Sequence, residues 1–415
     1  MQSKTRILND ETLAALAREH GTPLYVYDAS IVARRVAELS TFDVVRYAQK
    51  ANSNLSVLDL VRRAGCVVDA VSAGEIARAI AAGFAPRDIT FTADLFDRAA
   101  LEWVARHDVP VNLGSRPMIE QYAVLVRERG LARRDVMLRV NPGFGHGHGN
   151  KVNTGGAGSK HGIWHEDLAE AVAHARALGL RVSGLHVHIG SGSDLEHLSR
   201  VGRTLRALAA HARDTLERIS AGGGLPIPYR PGDARLDVEA LAATWRATRD
   251  AIAGDLDRAI EVEVEPGRYL VAEAGALIAE VRGTKTNGGV EYVLVDAGFH
   301  NLVRPAMYGA YHHISVLGRA VTDAGAPKVV AGPLCESADV FTQDKEGRVA
   351  PLALPDVKPG DLVCIHDAGA YASSMGSNYN SQPLAAEVLV EDGRARLVRR
   401  RQTIEEMLEL ERDPS

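Results

Sequence analysis

Cysteine is scarce in this sequence. Three thiols, Cys66, Cys335 and Cys364, in 415 residues suit a reducing compartment better than a disulfide framework. Long hydrophobic runs are missing as well: no stretch reaches the ~18 apolar residues that a spanning helix needs. The opening segment MQSKTRILNDETLAALAREHGTP lacks the apolar core of a signal peptide. The cytoplasm is therefore the expected location. Charge of one sign is not in excess. A formal net charge of -5 provides no strong attraction to nucleic acid or to an anionic membrane. The basic run Arg399, Arg400, Arg401 is short and reads as solvated surface. No short repeat or low-complexity linker interrupts the chain. What remains is ordinary for a soluble enzyme, with 46% hydrophobic and 24% charged residues. The length corresponds to roughly two to three domains.

Between residues 40 and 270 apolar strands alternate with amphipathic helices. Candidate strands cover 44–48, 66–72, 89–93, 109–114, 136–142, 182–190, 216–224 and 259–267. The helical pattern HEDLAEAVAHARALG places Leu168, Val172, Ala175 and Leu178 on one stripe, with an acidic start and a glycine end. Eight strands in such alternation predict an α/β fold, a parallel (β/α)8 barrel over residues 30–270. Barrel active sites gather at the C-terminal strand ends. Lys50, Asp69, Ser72, Arg139, Asn141, His188, the glycines of strand seven and Glu265 all fall at that end. Beyond residue 270 the rhythm gives way to short strands, EYVLVDAG, KVVAGPL, DLVCIHD, AAEVLVEDG and ARLVRRR, separated by turns. Residues 1–29 and 271–415 are expected to form a second, mainly β domain, in which the early strand TPLYVYD finds its partners.

The chemistry is carried by a few motifs. YAQKAN sets the Lys50 amine just past an apolar strand, an unusual place for an unpartnered lysine. SAGGGLPIPY offers Gly222, Gly223 and Gly224, whose backbone can approach a phosphate closely, although a tight turn would use the same residues. EVEPGRYLVA supplies Glu265, Gly267 and Arg268. A carboxylate at a strand end inside a barrel needs a cation, and a pyridinium nitrogen would serve; a surface Glu–Arg pair is the plainer alternative. GLHVHIGSGSD places His186 and His188 on one side of a strand. His188 suits stacking on a flat ligand above the Ser191 hydroxyl, and a core histidine is the plainer alternative. No metal site is expected, because no Cys or acidic cluster has the spacing of a structural zinc centre. His146 and His148, among glycines, read as a loop.

AGPLCESADVF places Cys335 in a loop beside Glu336 and Asp339, acidic neighbours that favour a proton-holding thiol over a standing thiolate. Cys66 and Cys364 lie in apolar strand patterns and are expected in the core. RPAMYG and GAYASSMGSNYNSQP add Arg304, Tyr308 and Tyr371. A strand-end lysine, a glycine turn, an acid for a ring nitrogen and a stacking histidine together suit pyridoxal 5'-phosphate, an aldehyde that forms a Schiff base with lysine and acts as an electron sink.

From TPLYVYD to RRRQTIEEMLELE the chain resembles the fold-type III pyridoxal-phosphate decarboxylases, and among them the branch acting on diaminopimelate. The motifs YAQKAN, HVHIGSG, GGG, EPGR, RPAMYG, CES and GAY…M.SNYNS occur in the family's order. The resemblance implies that Lys50 carries the cofactor, His188 stacks on its ring and Glu265 binds its nitrogen. It places Ser191, Gly223, Gly224, Gly267 and Arg268 around the phosphate, with Arg268 also reaching substrate. Tyr371 would close over cofactor and substrate. Arg304, Tyr308 and Glu336 would hold the distal amino-acid end, and Cys335 would donate the proton. The implied reaction is decarboxylation of meso-2,6-diaminopimelate at its D-centre to L-lysine and CO2, the last step of lysine biosynthesis. It would run in a homodimer whose active sites are shared between subunits, the Cys335 loop arriving from the partner. One departure is Gln382, where the family commonly has Arg. A decarboxylase for another amino acid, an alanine racemase-like enzyme, a cofactor-binding protein without activity and a metal-dependent barrel hydrolase are the alternatives.

Overall fold

The computed structural model describes residues 7–145, 154–190, 194–319 and 325–412. The chain divides into two compact units, one of Arg34–Pro226 with Arg235–Tyr269, the other of Met1–Ala33, Ile227–Ala234 and Leu270–Ser415.

The first unit is the barrel. Its strands run Val44–Ala48, Val67–Ala70, Ile89–Ala93, Val111–Leu113, Asp135–Asn141, Arg181–Val187, Arg218–Ser220 and Glu261–Val264. Each pairs in parallel with the next, and Glu261–Val264 returns to Val44–Ala48, which closes the ring. A short strand, Ile163–Trp164, pairs beside the fifth. Two expected strands, 44–48 and 89–93, match to the residue. Asp135–Asn141 is as long as its expected run and displaced by one residue, and the other five are shorter than their apolar runs.

The intervening helices start on capping side chains. Asn54, Ser72, Asp97, Ser115, Asp194 and Asp237 each accept a hydrogen bond from a backbone N–H in the first turn. Each such cap is worth about 1 kcal/mol. In the helix Leu168–Ala177, Leu168, Val172 and Ala175 are buried as the stripe predicts. Leu178 is not: it is 38% exposed, because the helix ends before it and the chain turns away.

Inward-facing positions recur every second residue along a strand. In this barrel they are unusually polar. Arg46, Asp69, Thr92, Asn112, Arg139, His186, Ser220, Glu263 and Glu265 are all buried. Arg46 and Glu263 form a buried ion pair at 2.9 Å. Charges in such a place must be paired, since an uncompensated one costs several kcal/mol. Gly184 makes room inside the ring: a Cβ there would stand 2.6 Å from Met137 Cγ.

The second unit is built on a mixed sheet whose hub is the 13-residue strand Gly275–Asn287. Its first half pairs with Leu24–Asp28 and Leu362–Ile365; beyond a register shift at Val281/Gly283 it pairs with Val290–Val295. The early strand Leu24–Asp28 also lies parallel to Ala386–Glu391, so TPLYVYD has its partners in the second sheet as expected. Gly275–Asn287 was not anticipated. Cys66 and Cys364 are buried, as their strand patterns predict, and burial pushes the Cys66 thiol up to about 12.

Candidate active site

The barrel unit assembles its site from the ends of strands one, two, six, seven and eight. After Val44–Ala48 the backbone winds into one 3-10 turn, Gln49–Ala51, which leaves the Lys50 side chain exposed. Gln49 is buried beneath it and donates to the Asp69 carbonyl at 3.2 Å. Asp69 lies within the second strand, not after it, and its side chain is buried. Burial and the nearby Glu265 charge raise its pKa to about 7, against the opposing pull of Lys50. Among the described residues its Oδ1 has no hydrogen-bond partner. Ser72 serves as a helix cap.

Glu265, one residue past the eighth strand, is buried rather than part of a surface pair. Its Oε2 meets His186 Nε2 at 2.8 Å, and its Oε1 accepts from the Ser220 hydroxyl at 2.9 Å. Burial alone would raise its pKa. The facing His186, Arg46 and the Ser220 hydroxyl together outweigh burial and hold the carboxyl well below the usual range. His188, two residues on from His186, is half-buried. Its Nδ1 accepts the Gly223 N–H at 3.2 Å. Burial, with Arg139 and Lys50, lowers its pKa well below the ordinary value, so the ring is neutral near pH 7.

The glycine turn is bolted between strands. A Cβ on Gly222 would sit 2.4 Å from the Val187 carbonyl oxygen, one on Gly223 2.3 Å from that of Glu265, and one on Gly224 2.1 Å from that of Gly190. Gly222 N–H donates to Ser220 Oγ at 3.1 Å, and Glu265 N–H to the Gly222 carbonyl at 2.9 Å. Gly267 packs over Ala48 and Ala51, at the root of the Lys50 turn, and Arg268 follows it half-buried. Ser191, like His146 and His148, lies outside the described residues. Arg139 is buried, 4.0 Å from Asp94, and Asn141 donates to the carbonyls of Gly156 and His161.

These residues fit pyridoxal phosphate. A side chain at any of the three glycines would fill the turn. A carboxylate held ionised inside a barrel offers a counterion for a protonated ring nitrogen. A neutral, half-buried imidazole offers a flat face. Among the described residues no three His, Cys, Asp or Glu side chains are grouped to hold a metal ion.

The sheet unit carries a second constellation. Arg304 and Tyr308 open and close a short helix; Arg304 is buried and Tyr308 is 37% exposed. Cys335 is exposed, with its thiol 3.4 Å from Asn380 Oδ1, which also accepts the Cys335 N–H at 3.2 Å. Tyr379 donates its hydroxyl to Glu336. The Asp339 carboxylate accepts the N–H groups of Phe299 and Leu334, and a Cβ on Gly332 would meet it at 2.3 Å. The bond to Leu334 shapes the loop that carries Cys335. Tyr371 is half-buried at φ +55°, and Gln382 closes the following turn through its main chain.

His186, Ser220 and Asn380 are neighbours of the candidate site residues that sequence reasoning did not assign. His186 was visible as the first histidine of HVH, but its partner lies 79 residues on.

Residues 29–272 match the family described as pyridoxal-dependent decarboxylase, pyridoxal binding domain, and the chain belongs to this family of pyridoxal-dependent decarboxylases. Over 413 residues it is 52% identical to the diaminopimelate decarboxylase of Escherichia coli K12, covering 97% of each. It is 50% identical over 419 residues to that of Streptomyces coelicolor, covering 98% of this chain and 93% of the relative. A crystal structure of diaminopimelate decarboxylase superposes with a TM-score of 0.93 at 51% identity, over 99% of this chain and 98% of the other. The Helicobacter pylori enzyme complexed with L-lysine superposes at 0.88 with 31% identity, over 97% of this chain and 100% of the other.

Proposed function

We infer that this chain is a pyridoxal 5'-phosphate-dependent carboxy-lyase that removes CO2 from meso-2,6-diaminopimelate at its D-centre and yields L-lysine, the last step of lysine biosynthesis. The observation that carries the chemistry is the buried Glu265 carboxylate, held ionised by His186 and Ser220 within a barrel whose mouth presents Lys50. The substrate rests on the extent of identity to diaminopimelate decarboxylases.

Bound pyridoxal phosphate supplies an aldehyde that condenses with amines and a ring that takes up the electron pair left by a departing carboxylate. Lys50 would be the amine that holds the cofactor. Glu265, kept ionised, would hold a proton on the ring nitrogen. His188, oriented by the Gly223 N–H, would offer its flat face to the ring. Gly223, Gly224, Gly267 and Arg268 would hold the phosphate, as would Ser191 by the family resemblance, and Arg268 would also reach substrate. Cys335 gives its thiol proton to the carbon that has lost CO2. Arg304, Tyr308 and Glu336 engage the distal amino-acid end, an anion clamp paired with an acid for an ammonium group. Tyr371 covers substrate and cofactor. The working assembly is a homodimer in which each active site takes its Cys335 loop from the second copy. No described helix is long and apolar enough to cross a membrane; the cytoplasm is the proposed location.

Borohydride reduction of the yellow protein followed by peptide mapping tests the reading. The tag should fall on Lys50, and CO2 should be released from meso-diaminopimelate. A tag on another lysine, or faster turnover of ornithine or arginine, overturns it.

A further inference from the structure

Arg304 does not stand alone in the sheet unit. Its Nη1 lies 2.7 Å from His312 Nε2. On the other side of that ring, Nδ1 is 2.8 Å from the main-chain carbonyl of His366. A carbonyl oxygen only accepts, so Nδ1 carries the ring proton, and Nε2 is left with its lone pair facing Arg304. The guanidinium cannot give up its charge and can only donate. The pairing is thus polar in one direction: guanidinium to imidazole, imidazole to backbone. Tyr229 completes the seat. Arg304 lies over its ring at 4.8 Å, and His312 meets the same ring edge-on, with centroids 5.5 Å apart and planes at 71°. Tyr229 belongs to Ile227–Ala234, the short segment that joins the sheet unit from the middle of the barrel sequence. Arg304 is 6% and His312 2% exposed, so neither is held in place by solvent.

We propose that His312 is a positioning residue: by accepting from Arg304 it sets the plane of the guanidinium and thereby governs affinity for the carboxylate at the distal end of the substrate. The inference rests on the reading of Arg304 as the anion clamp. An arginine fork grips a carboxylate well only when its plane is aligned. A guanidinium stacked on one face by Tyr229 and held at one edge by His312 has that alignment before substrate arrives. Less ordering is then needed on binding.

The test uses the cofactor-loaded enzyme. His312→Phe keeps the ring and its contact with Tyr229 but removes the acceptor. Its KM for meso-diaminopimelate should rise about tenfold, the loss expected for one hydrogen bond to a charged group, with kcat within about twofold of wild type. His312→Gln, whose amide oxygen reaches the place of Nε2, should restore most of the affinity. His312→Asn, which is too short, should not. Cofactor loading, read from the visible absorbance, should be the same in all three. Equal KM in His312→Phe and wild type, while Arg304→Ala raises KM, overturns the role of His312 and leaves the clamp standing. If Arg304→Ala also leaves KM unchanged, the clamp assignment itself fails and the inference falls with it. Should the Phe variant not fold, the Gln and Asn pair decides the matter: equal KM values in these two overturn the proposal.

Discussion

His186 and Glu265, one from the sixth barrel strand and one from the end of the eighth, meet at 2.8 Å with both side chains buried. This contact, with Ser220 on the other carboxylate oxygen, keeps an acid ionised where burial alone would neutralise it. Ser220 also accepts the Gly222 N–H, so the carboxylate and the glycine turn are parts of one hydrogen-bonded frame. His186→Leu should weaken cofactor binding about tenfold or more, the scale of a lost hydrogen bond to a charged group. Glu265→Gln should show the larger loss of kcat, because it removes the charge itself. Equilibrium dialysis against free cofactor, read by absorbance, checks the first; steady-state CO2 release checks the second.

Gly224 has φ +92°, and a Cβ there would lie 2.1 Å from a backbone oxygen that cannot move aside. Gly224→Ala should lower the melting temperature by several degrees, on the order of 1–3 kcal/mol, and weaken cofactor binding. Gly288, at φ +54° in an open hairpin turn with nothing near its missing Cβ, is the control. Gly288→Ala should cost only the backbone strain, about 1 kcal/mol, with cofactor affinity unchanged. Thermal melts and dialysis of both variants separate crowding from strain.

Asp69 provides a pH signature. Its pKa is raised from 3.8 to about 7, first by burial and then by Glu265. Between those values the folded cofactor-free chain binds a proton that the unfolded chain has released. Stability therefore falls as pH rises through that window, and the loss is complete above pH 7. Asp69→Asn removes this dependence. At pH 8 it should gain a few kcal/mol relative to its own difference from wild type at pH 4. Chemical denaturation of both proteins at pH 4, 6 and 8 measures it; a constant gap would place the Asp69 pKa near its ordinary value.

Cys335 and Asn380 test proton delivery. Cys335→Ala should retain the cofactor's colour yet lose about 100-fold or more in kcat, the usual contribution of a positioned general acid. Asn380→Ala, which removes the oxygen facing the thiol at 3.4 Å, should reduce kcat several-fold with little change in KM. Stopped-flow absorbance and CO2 release distinguish the two effects. Unchanged kcat in Cys335→Ala would assign the proton to another group.

The barrel was legible because its signals are local. Val44–Ala48 and Ile89–Ala93 announce themselves by apolar runs between turn residues, and Asn54, Ser72 and Asp97 mark helix starts by their own side chains. The sheet unit was less so. Gly275–Asn287 went unrecognised although the turn that follows it, Asn287-Gly288-Gly289, is among the strongest short-range hairpin signals, with φ values of +54° and +79° at the glycines. Its first half is buried and its second half exposed, so no single period runs through it.

The sequence by itself determined which residues stand at strand ends: Lys50, His188, Gly222–Gly224 and Glu265 are placed there by spacing alone, since a strand alternates faces and must end at a turn. Only the tertiary structure decided whom they face. Closure of the ring brings His186 and Ser220 to Glu265, Gly223 to His188 and Glu265 to Asp69. Folding of the sheet unit brings Tyr229 and His312 to Arg304. Periodicity and propensity act over a few neighbouring residues. Protonation and hydrogen bonding are set by whichever distant side chain shares the same desolvated volume, and that is a property of the closed fold.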